Sequence, residues 1–209
     1  MVTIIPVNNT IMNSVTYVLY SEDVDYCVLI DCGEWETLRP VLKRIDKIVD
    51  AVLLTHGHSD HIYGLLGLLN LQPEVKIYTN EEGHKEIKDS RLNLSFYHGN
   101  PFIIDGYQPI VIKDKQVLHF DGIAEIEVIA TPGHDVSCNT FKVENHLFTG
   151  DAYIPGLKTF TKFPRGNKVQ ALESIVKLSE MEEKGGIVHC GHHSYLGNQM
   201  NIHALLKRK

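Results

Sequence analysis

The 209-residue chain has only four cysteines, Cys27, Cys32, Cys138 and Cys190, and none pair as C-x-x-C. That is too few and too scattered for a disulfide framework, so they read as reduced thiols, mostly buried. Cys190 lies two residues before a histidine and is a minor metal candidate. No apolar run is long enough to cross a bilayer. The opening stretch from Met1 to Thr10 lacks a basic region followed by an apolar run and a small-residue cleavage site, so a cytoplasmic protein with no membrane partner is expected. Basic excess is missing as well: 20 Lys+Arg stand against 26 Asp+Glu, a net charge of −6, which gives no general electrostatic reason to bind nucleic acid. The closing Lys207-Arg208-Lys209 reads as a cationic helix end favoured by the helix dipole. No linker-like segment interrupts a chain that is 43% hydrophobic, so one domain over residues 1–209 is expected.

Strands are expected at Val2–Val7, Val15–Tyr20, Tyr26–Ile30 and 49–54, with helices at about Glu36–Lys47 and 60–70. Pro40 would be tolerated in the first turn of the earlier helix. A strand at Val75–Thr79 and a polar helix from about Glu81 to Ser90 follow, then a punctuated loop with helical turns between Leu92 and Asp105. The second half is richer in strands, at Pro109–Ile112, Gln116–Phe120, Ile126–Ala130, Asn139–Val143 and Leu147–Thr149. A loop from Ala152 to Asn167 leads to an amphipathic helix at about Lys168–Glu183, with Val169, Leu172, Ile175, Val176 and Leu178 inward. Ile187–Cys190 reads as a last buried strand and Gln199–Lys207 as a last helix. Each half has strands first and a helix near its end, an order that suits two sheets packed face to face with helices outside.

The chemistry-bearing residues sit where these strands stop. Val49–Leu54 runs into Thr55-His56-Gly57-His58-Ser59-Asp60-His61, four metal-capable side chains within six positions. His56 and His58 lie just past a strand end, where residues i and i+2 share a side. Asp60 and His61 begin a helix and project from another direction. Ile126–Ala130 ends in Thr131-Pro132-Gly133-His134, Leu147–Thr149 in Gly150-Asp151, and Ile187–Cys190 in Gly191-His192. Glycine before each permits a tight turn and close backbone approach. Five imidazoles and two carboxylates suit borderline divalent metals, chiefly zinc, with iron and manganese as alternatives. Seven donors exceed one tetrahedral ion and fit two, His56, His58 and His134 on one, Asp60, His61 and His192 on the other, with Asp151 bridging. Two ions about 3.5–4 Å apart can share and activate one hydroxide.

Taken together, His56-Gly57-His58-Ser59-Asp60-His61, His134 in T-P-G-H, Asp151 in L-F-T-G-D and His192 in C-G-H resemble the metallo-β-lactamase-fold hydrolases over nearly the whole chain. The resemblance implies an α+β fold, a four-layer αβ/βα sandwich of two mixed sheets with the metals at one edge. It places Asp31, in the L-I-D-C-G turn, beneath the site as a support for the ligands. It also implies a metal-dependent hydrolase with Asp60 and Asp151 as its catalytic carboxylates.

Among family members the chain looks most like the small glyoxalase II-like proteins, which hydrolyse thioesters. Only 17 residues follow His192, so the helical region that supplies glutathione contacts in full glyoxalase II is not expected, and a small thioester or ester is the expected substrate. Phosphodiester or RNA hydrolysis and lactone cleavage are the alternatives, the latter with Tyr153 hydrogen-bonding a carbonyl. β-Lactam cleavage ranks lower because His61 is retained, and oxidative chemistry at a single iron because the two-metal set is complete. A non-catalytic, metal-stabilised binding module is the remaining reading. Substrate contacts are expected from the loop after Asp151, with Tyr153, Lys158, Phe160, Lys162, Phe163 and Arg165, and from Tyr63 and Tyr195. His84, His98, His119, His146 and His203 belong to no motif and read as surface or core residues.

Overall fold

In the computed structural model, residues 2–192 are described. The expected last helix, together with His193, Tyr195 and His203, lies outside them. The first sheet has six strands among these residues, in the order β1 (Thr3–Asn8), β2 (Val15–Tyr20), β3 (Tyr26–Ile30), β4 (Ile48–Leu53), β5 (Lys76–Thr79) and β6 (Ile110–Val111). β1, β2 and β3 pair antiparallel, and β3 to β6 run parallel. The second sheet is ordered β11 (Ile187–Cys190), β10 (His146–Gly150), β9 (Asn139–Val143), β8 (Ile126–Ala130) and β7 (Val117–Leu118). Its only parallel pair among the described residues is β10 with β11. Ile110 and Val111, placed by sequence among the later strands, close the first sheet by pairing with β5.

Strand alternation sorts the side chains into layers. Val15, Tyr17, Leu19, Val28, Ile30, Ala51 and Leu53 meet Leu118, Ile126, Val128, Phe141, Val143 and Phe148 between the sheets. On the other side of the first sheet, Val18, Leu29, Val52, Leu54 and Ile77 pack on Leu38 and Leu42 of α1 (Trp35–Ile45) and on Leu65 and Leu68 of α3 (Leu65–Leu71). The result is the expected α+β sandwich with helices outside its two mixed sheets.

Several local expectations need correction. The helix expected over 60–70 is two, α2 (Ser59–Ile62) and α3, separated at Tyr63-Gly64. A Cβ on Gly64 would press on Cys32 and the Trp35 amide, so the chain turns there against the start of α1. Pro40 lies inside α1 rather than in its first turn. It is exposed, so the carbonyl that loses its intrahelical partner faces water. α4 (Glu81–Ile87) is capped by Asn80, whose side chain accepts from the Gly83 amide.

α5 (Lys168–Glu183) has the expected bounds but not the expected face. Ala171, Ser174 and Leu178 are buried, and Val169, Leu172 and Val176 are exposed. The cause is close packing on the Pro132-Gly133 turn. Gly133 adopts φ +136, and a Cβ there would collide with the backbone of Ala171, while Ser174 Oγ donates to the Pro132 carbonyl at 2.7 Å. Only small residues fit that contact, which rotates the branched residues outward. β11 is a half-buried edge strand rather than a buried one.

The two sheets are stitched together at the edge where the turns carrying the candidate metal ligands lie. The Asn139 amide donates to the Thr55 carbonyl at 2.7 Å, the Val15 amide to Gly191 at 2.8 Å and the Tyr17 hydroxyl to Cys190 at 2.8 Å. His189 of β11 stacks on Phe148 at 4.7 Å and meets Tyr17 edge-on at 5.3 Å. Burial, and then His146 beside it, lower the His189 pKa to about 4.

Two outcomes follow. Phe141→Ala, in the inter-sheet core, is expected to lower the unfolding free energy by about 3–5 kcal/mol in urea titrations. His189 has a folded pKa below its unfolded value of 6.5, so its neutral ring favours folding above that pH and the benefit is lost as pH falls toward 4. His189→Phe should therefore flatten the decline in stability between pH 6.5 and 4; an unchanged decline would remove His189 as a source of acid sensitivity.

Candidate metal centre

His56 and His58 follow β4, Asp60 and His61 lie in α2, and His134, Asp151 and His192 follow β8, β10 and β11. The turns bring all seven side chains together. Donor atoms of His56, His58 and His134 lie within 4.8 Å of one another, as do those of Asp60, His61 and His192 and those of His56, His61 and Asp151. Asp151 stands between the first two trios: its Oδ1 is 3.5 Å from His61 Nε2, and its Oδ2 is 3.5 Å from His134 Nε2 and 3.1 Å from His192 Nε2. Asp60 Oδ2 lies 3.4 Å from His192 Nε2 and 3.6 Å from His61 Nε2.

The hydrogen bonds on the far side of each ring assign its tautomer. His134 Nδ1–H donates to the Phe160 carbonyl at 2.9 Å and His192 Nδ1–H to the Met12 carbonyl at 3.0 Å. His61 Nδ1–H donates to Asp31 Oδ2 at 2.8 Å. Asp31 Oδ2 also accepts from the Thr55 hydroxyl at 2.8 Å, so the Thr55 oxygen is left to accept from His56 Nδ1–H at 3.1 Å. A carbonyl or carboxylate cannot donate, so each of the four rings carries a proton on Nδ1 and turns Nε2 inward, where the neutral ring would offer a lone pair; His192 Nε2 donates to Asp151 Oδ2 at 3.1 Å. Asp31 itself takes φ +60, which points its carboxylate back under the loop, and its Oδ1 accepts the Thr55 amide at 2.7 Å.

Metal fits these donors. Among the described residues, His56 Nε2, His61 Nε2 and Asp151 Oδ1 are buried without a hydrogen-bond partner. Such atoms are costly unless something neutralises them. His58 Nδ1 faces His134 Nε2 at 3.1 Å, an arrangement of two ring nitrogens that a shared cation would satisfy. Histidine and carboxylate together suit zinc, iron or manganese.

The electrostatics divide along the same lines. Burial, then the neighbouring rings of His61 and His58, hold the His56 pKa well below the usual imidazole range, and burial lowers His134 to about 4. For His61 and His192 burial also opposes the charge, but the carboxylates outweigh it: Asp60, Asp31 and Asp151 hold His61 high, and Asp151 and Asp60 raise His192 to about 9. Burial would raise the Asp151 carboxyl, yet His192 and His61 hold it well below the usual range.

A cleft of about 210 Å³ opens over this floor, lined by His58, Asp60, His134, Asp151 and His192 below and by Met12, Leu94, His98, Ile154, Leu157, Lys158, Thr159, Phe160 and Phe163 around. Of the loop residues expected to contact substrate, Lys158, Phe160 and Phe163 line this cleft. Tyr153 does not: its hydroxyl donates to Glu182 of α5 at 2.6 Å, turned away from the cleft. Tyr63 packs edge-on against Phe102 at 4.8 Å, outside the lining. Tyr195 lies outside the described residues. Arg165 is drawn to the buried carboxylates of Glu86 and Asp135 and to the part-exposed Glu82. Leu94 and His98 were not foreseen; they reach the cleft through the 3₁₀ turn Ser95–His98, whose flanking residues Leu94 and Gly99 both have positive φ.

The profile of the Metallo-beta-lactamase superfamily matches residues 10–204. The chain belongs to that superfamily. Hydroxyacylglutathione hydrolase of Enterobacter sp. (strain 638) is 29% identical over 181 residues, 85% of this chain and 61% of that protein. Its counterpart in Salmonella arizonae is 28% identical over 178 residues, 84% of this chain and 60% of that protein. The chain spans about three fifths of the length of these curated relatives. Among solved structures, the BLEG-1 B3 metallo-beta-lactamase superposes with a TM-score of 0.81 at 27% identity, covering 93% of this chain and 92% of that one. TTHA1623 in a di-iron-bound form gives 0.77 at 21% identity, covering 91% and 92%, a likeness of fold. No helix among the described residues is long and apolar enough to cross a membrane.

Asp31→Asn keeps the shape of its side chain but cannot accept from the Thr55 amide, the Thr55 hydroxyl and His61 together. It is expected to weaken metal binding at the Asp60–His61–His192 trio by about 10–100-fold in chelator-competition titrations. Unchanged affinity would show that Asp31 is not what orients His61.

Proposed function

We propose that the chain is a hydrolase of small thioesters or esters that works with two divalent metal ions, most simply zinc. His56, His58 and His134 would hold one ion and Asp60, His61 and His192 the other, with Asp151 shared. When bound, the pair would supply a hydroxide at neutral pH and a Lewis acid for the oxygen of the scissile group. The observation that carries this reading is that the two donor trios meet at Asp151, and that His58 and His134 of one, Asp60 and His192 of the other and Asp151 itself form the floor of one apolar cleft.

The protein's own groups do the rest. Asp60 lines the cleft beside His192, where its carboxylate can orient the attacking water and take its proton. The far-side hydrogen bonds of His56, His61, His134 and His192 hold their rings before substrate arrives, which avoids reorganisation during the reaction. Leu94, Ile154, Leu157, Phe160 and Phe163 exclude water and seat an apolar acyl group. Lys158 on the same wall can meet an anionic end of the substrate. No side-chain nucleophile is required, and the buried thiol of Cys138, its pKa held well above the ordinary value by burial, offers none.

The named activity of the Enterobacter and Salmonella relatives supports thioester hydrolysis. A second reading rests on a different observation. The BLEG-1 B3 metallo-beta-lactamase superposes on this chain with a TM-score of 0.81 at 27% identity. β-Lactam cleavage therefore belongs in the same assay as a thioester, a lactone and a phosphodiester.

Zinc-loaded protein is expected to carry two ions per chain by elemental analysis and to turn over the thioester fastest. Asp151→Ala should abolish turnover and lower metal content. A full-rate variant at full loading would remove Asp151 from the shared position, and a preference for the β-lactam would replace the thioester reading with the second one.

A further inference from the structure

Beneath the His56-Gly57-His58 segment lies a buried polar group that the proposed chemistry does not use. Glu86 of α4 is 0% exposed and Asp135, next to His134, is 1% exposed. Glu86 Oε2 accepts the Gly57 amide at 2.8 Å. Asp135 Oδ2 lies 3.7 Å from His58 Nε2, a buried ring nitrogen with no hydrogen-bond partner among the described residues. Asp135 is itself fixed, because its Oδ1 accepts the Ser137 amide at 2.9 Å. Arg165 ties the group together, with Nη1 at 3.4 Å from Glu86 Oε1, Nε at 3.8 Å from Asp135 Oδ1 and Nη2 at 2.7 Å from Glu82 Oε2.

Two carboxyl groups in so small a buried volume are costly to leave both charged, and the Arg165 guanidinium lies close enough to offset that charge. Gly57 is the residue that lets Glu86 approach, since a Cβ there would overlap the Glu86 side chain. The two ligands on either side of Gly57 are therefore set from below: Glu86 fixes the backbone between them, and Asp135 faces the outer nitrogen of His58.

We propose that Glu86, Asp135 and Arg165 are positioning residues for the first metal site. The Asp135 carboxylate, facing His58 Nε2 at 3.7 Å, favours the tautomer with the proton on that side, which turns the Nδ1 lone pair toward His134 across 3.1 Å, and Glu86, accepting the Gly57 amide, sets the separation of the His56 and His58 rings. Arg165 comes from the loop that also carries Lys158, Phe160 and Phe163, so the same bracket joins the cleft wall to the metal floor. The proposal rests on the two-metal reading above.

The test is metal affinity rather than turnover. Zinc binding to the wild type, Asp135→Asn, Glu86→Gln and Glu86→Ala is measured by competition with a chromophoric chelator, and the cobalt-substituted proteins are compared by visible absorption. Asp135→Asn is expected to weaken one of the two sites by about 10–100-fold and to shift its cobalt bands, leaving the other site as in the wild type. Glu86→Gln retains an oxygen for the Gly57 amide and should stay within about threefold of the wild type, while Glu86→Ala leaves that amide buried without an acceptor and should fall with Asp135→Asn. Thermal melts of the metal-free variants separate loss of the site from loss of the fold. Two wild-type affinities and an unchanged cobalt spectrum in Asp135→Asn would overturn the bracket. Failure of the wild type to bind two ions would instead overturn the two-metal reading.

Discussion

Ring nitrogens and carboxylate oxygens taken out of water must be given partners, and that requirement organises one whole edge of this protein. Five imidazoles and two carboxylates meet there with little exposure, and four of the rings have the outer nitrogen hydrogen-bonded, to Thr55, Asp31, the Phe160 carbonyl or the Met12 carbonyl, while that of His58 faces Asp135 at 3.7 Å. The inner nitrogens and the two carboxylates are left facing one another. The outer contacts hold the inner atoms in fixed directions, an arrangement that suits a metal centre.

The topology meets that demand with short pieces of chain. β4 belongs to one sheet and β8, β10 and β11 to the other, so no single sheet could assemble the site. Hydrogen bonds from Asn139 to Thr55, Val15 to Gly191 and Tyr17 to Cys190 bind the two sheets at this edge, where a small shift would separate the donor trios. Gly150 at φ +51 and Gly133 at φ +136 turn their strands into the site through backbone conformations that residues with a side chain rarely adopt.

The residues that cluster at this edge could be read from the sequence because each follows an apolar strand and, after the first loop, a glycine, a local pattern that survives without knowledge of the fold. The layers were legible for the same reason, since strand alternation carries its own period. What could not be read depended on contacts between distant segments. Glu86 sits in a helix of polar composition with no motif, and only the position of Gly57 against it gives it a role. Tyr153 looked like a cleft residue by its distance from Asp151 along the chain, but Glu182, on the next helix, takes its hydroxyl. The face of α5 was misassigned because apolar periodicity pointed to Val169, Leu172 and Val176, while the close approach to Gly133 selected Ala171 and Ser174.

Two ions sharing Asp151 is the claim on which the proposed chemistry stands, and anomalous diffraction at the zinc edge, from crystals grown with zinc, tests it most directly. Two peaks about 3.5–4 Å apart, one within His56, His58 and His134 and the other within Asp60, His61 and His192, with the Asp151 carboxylate between them, are the expected result. A single peak, or a pair that does not flank Asp151, would contradict it.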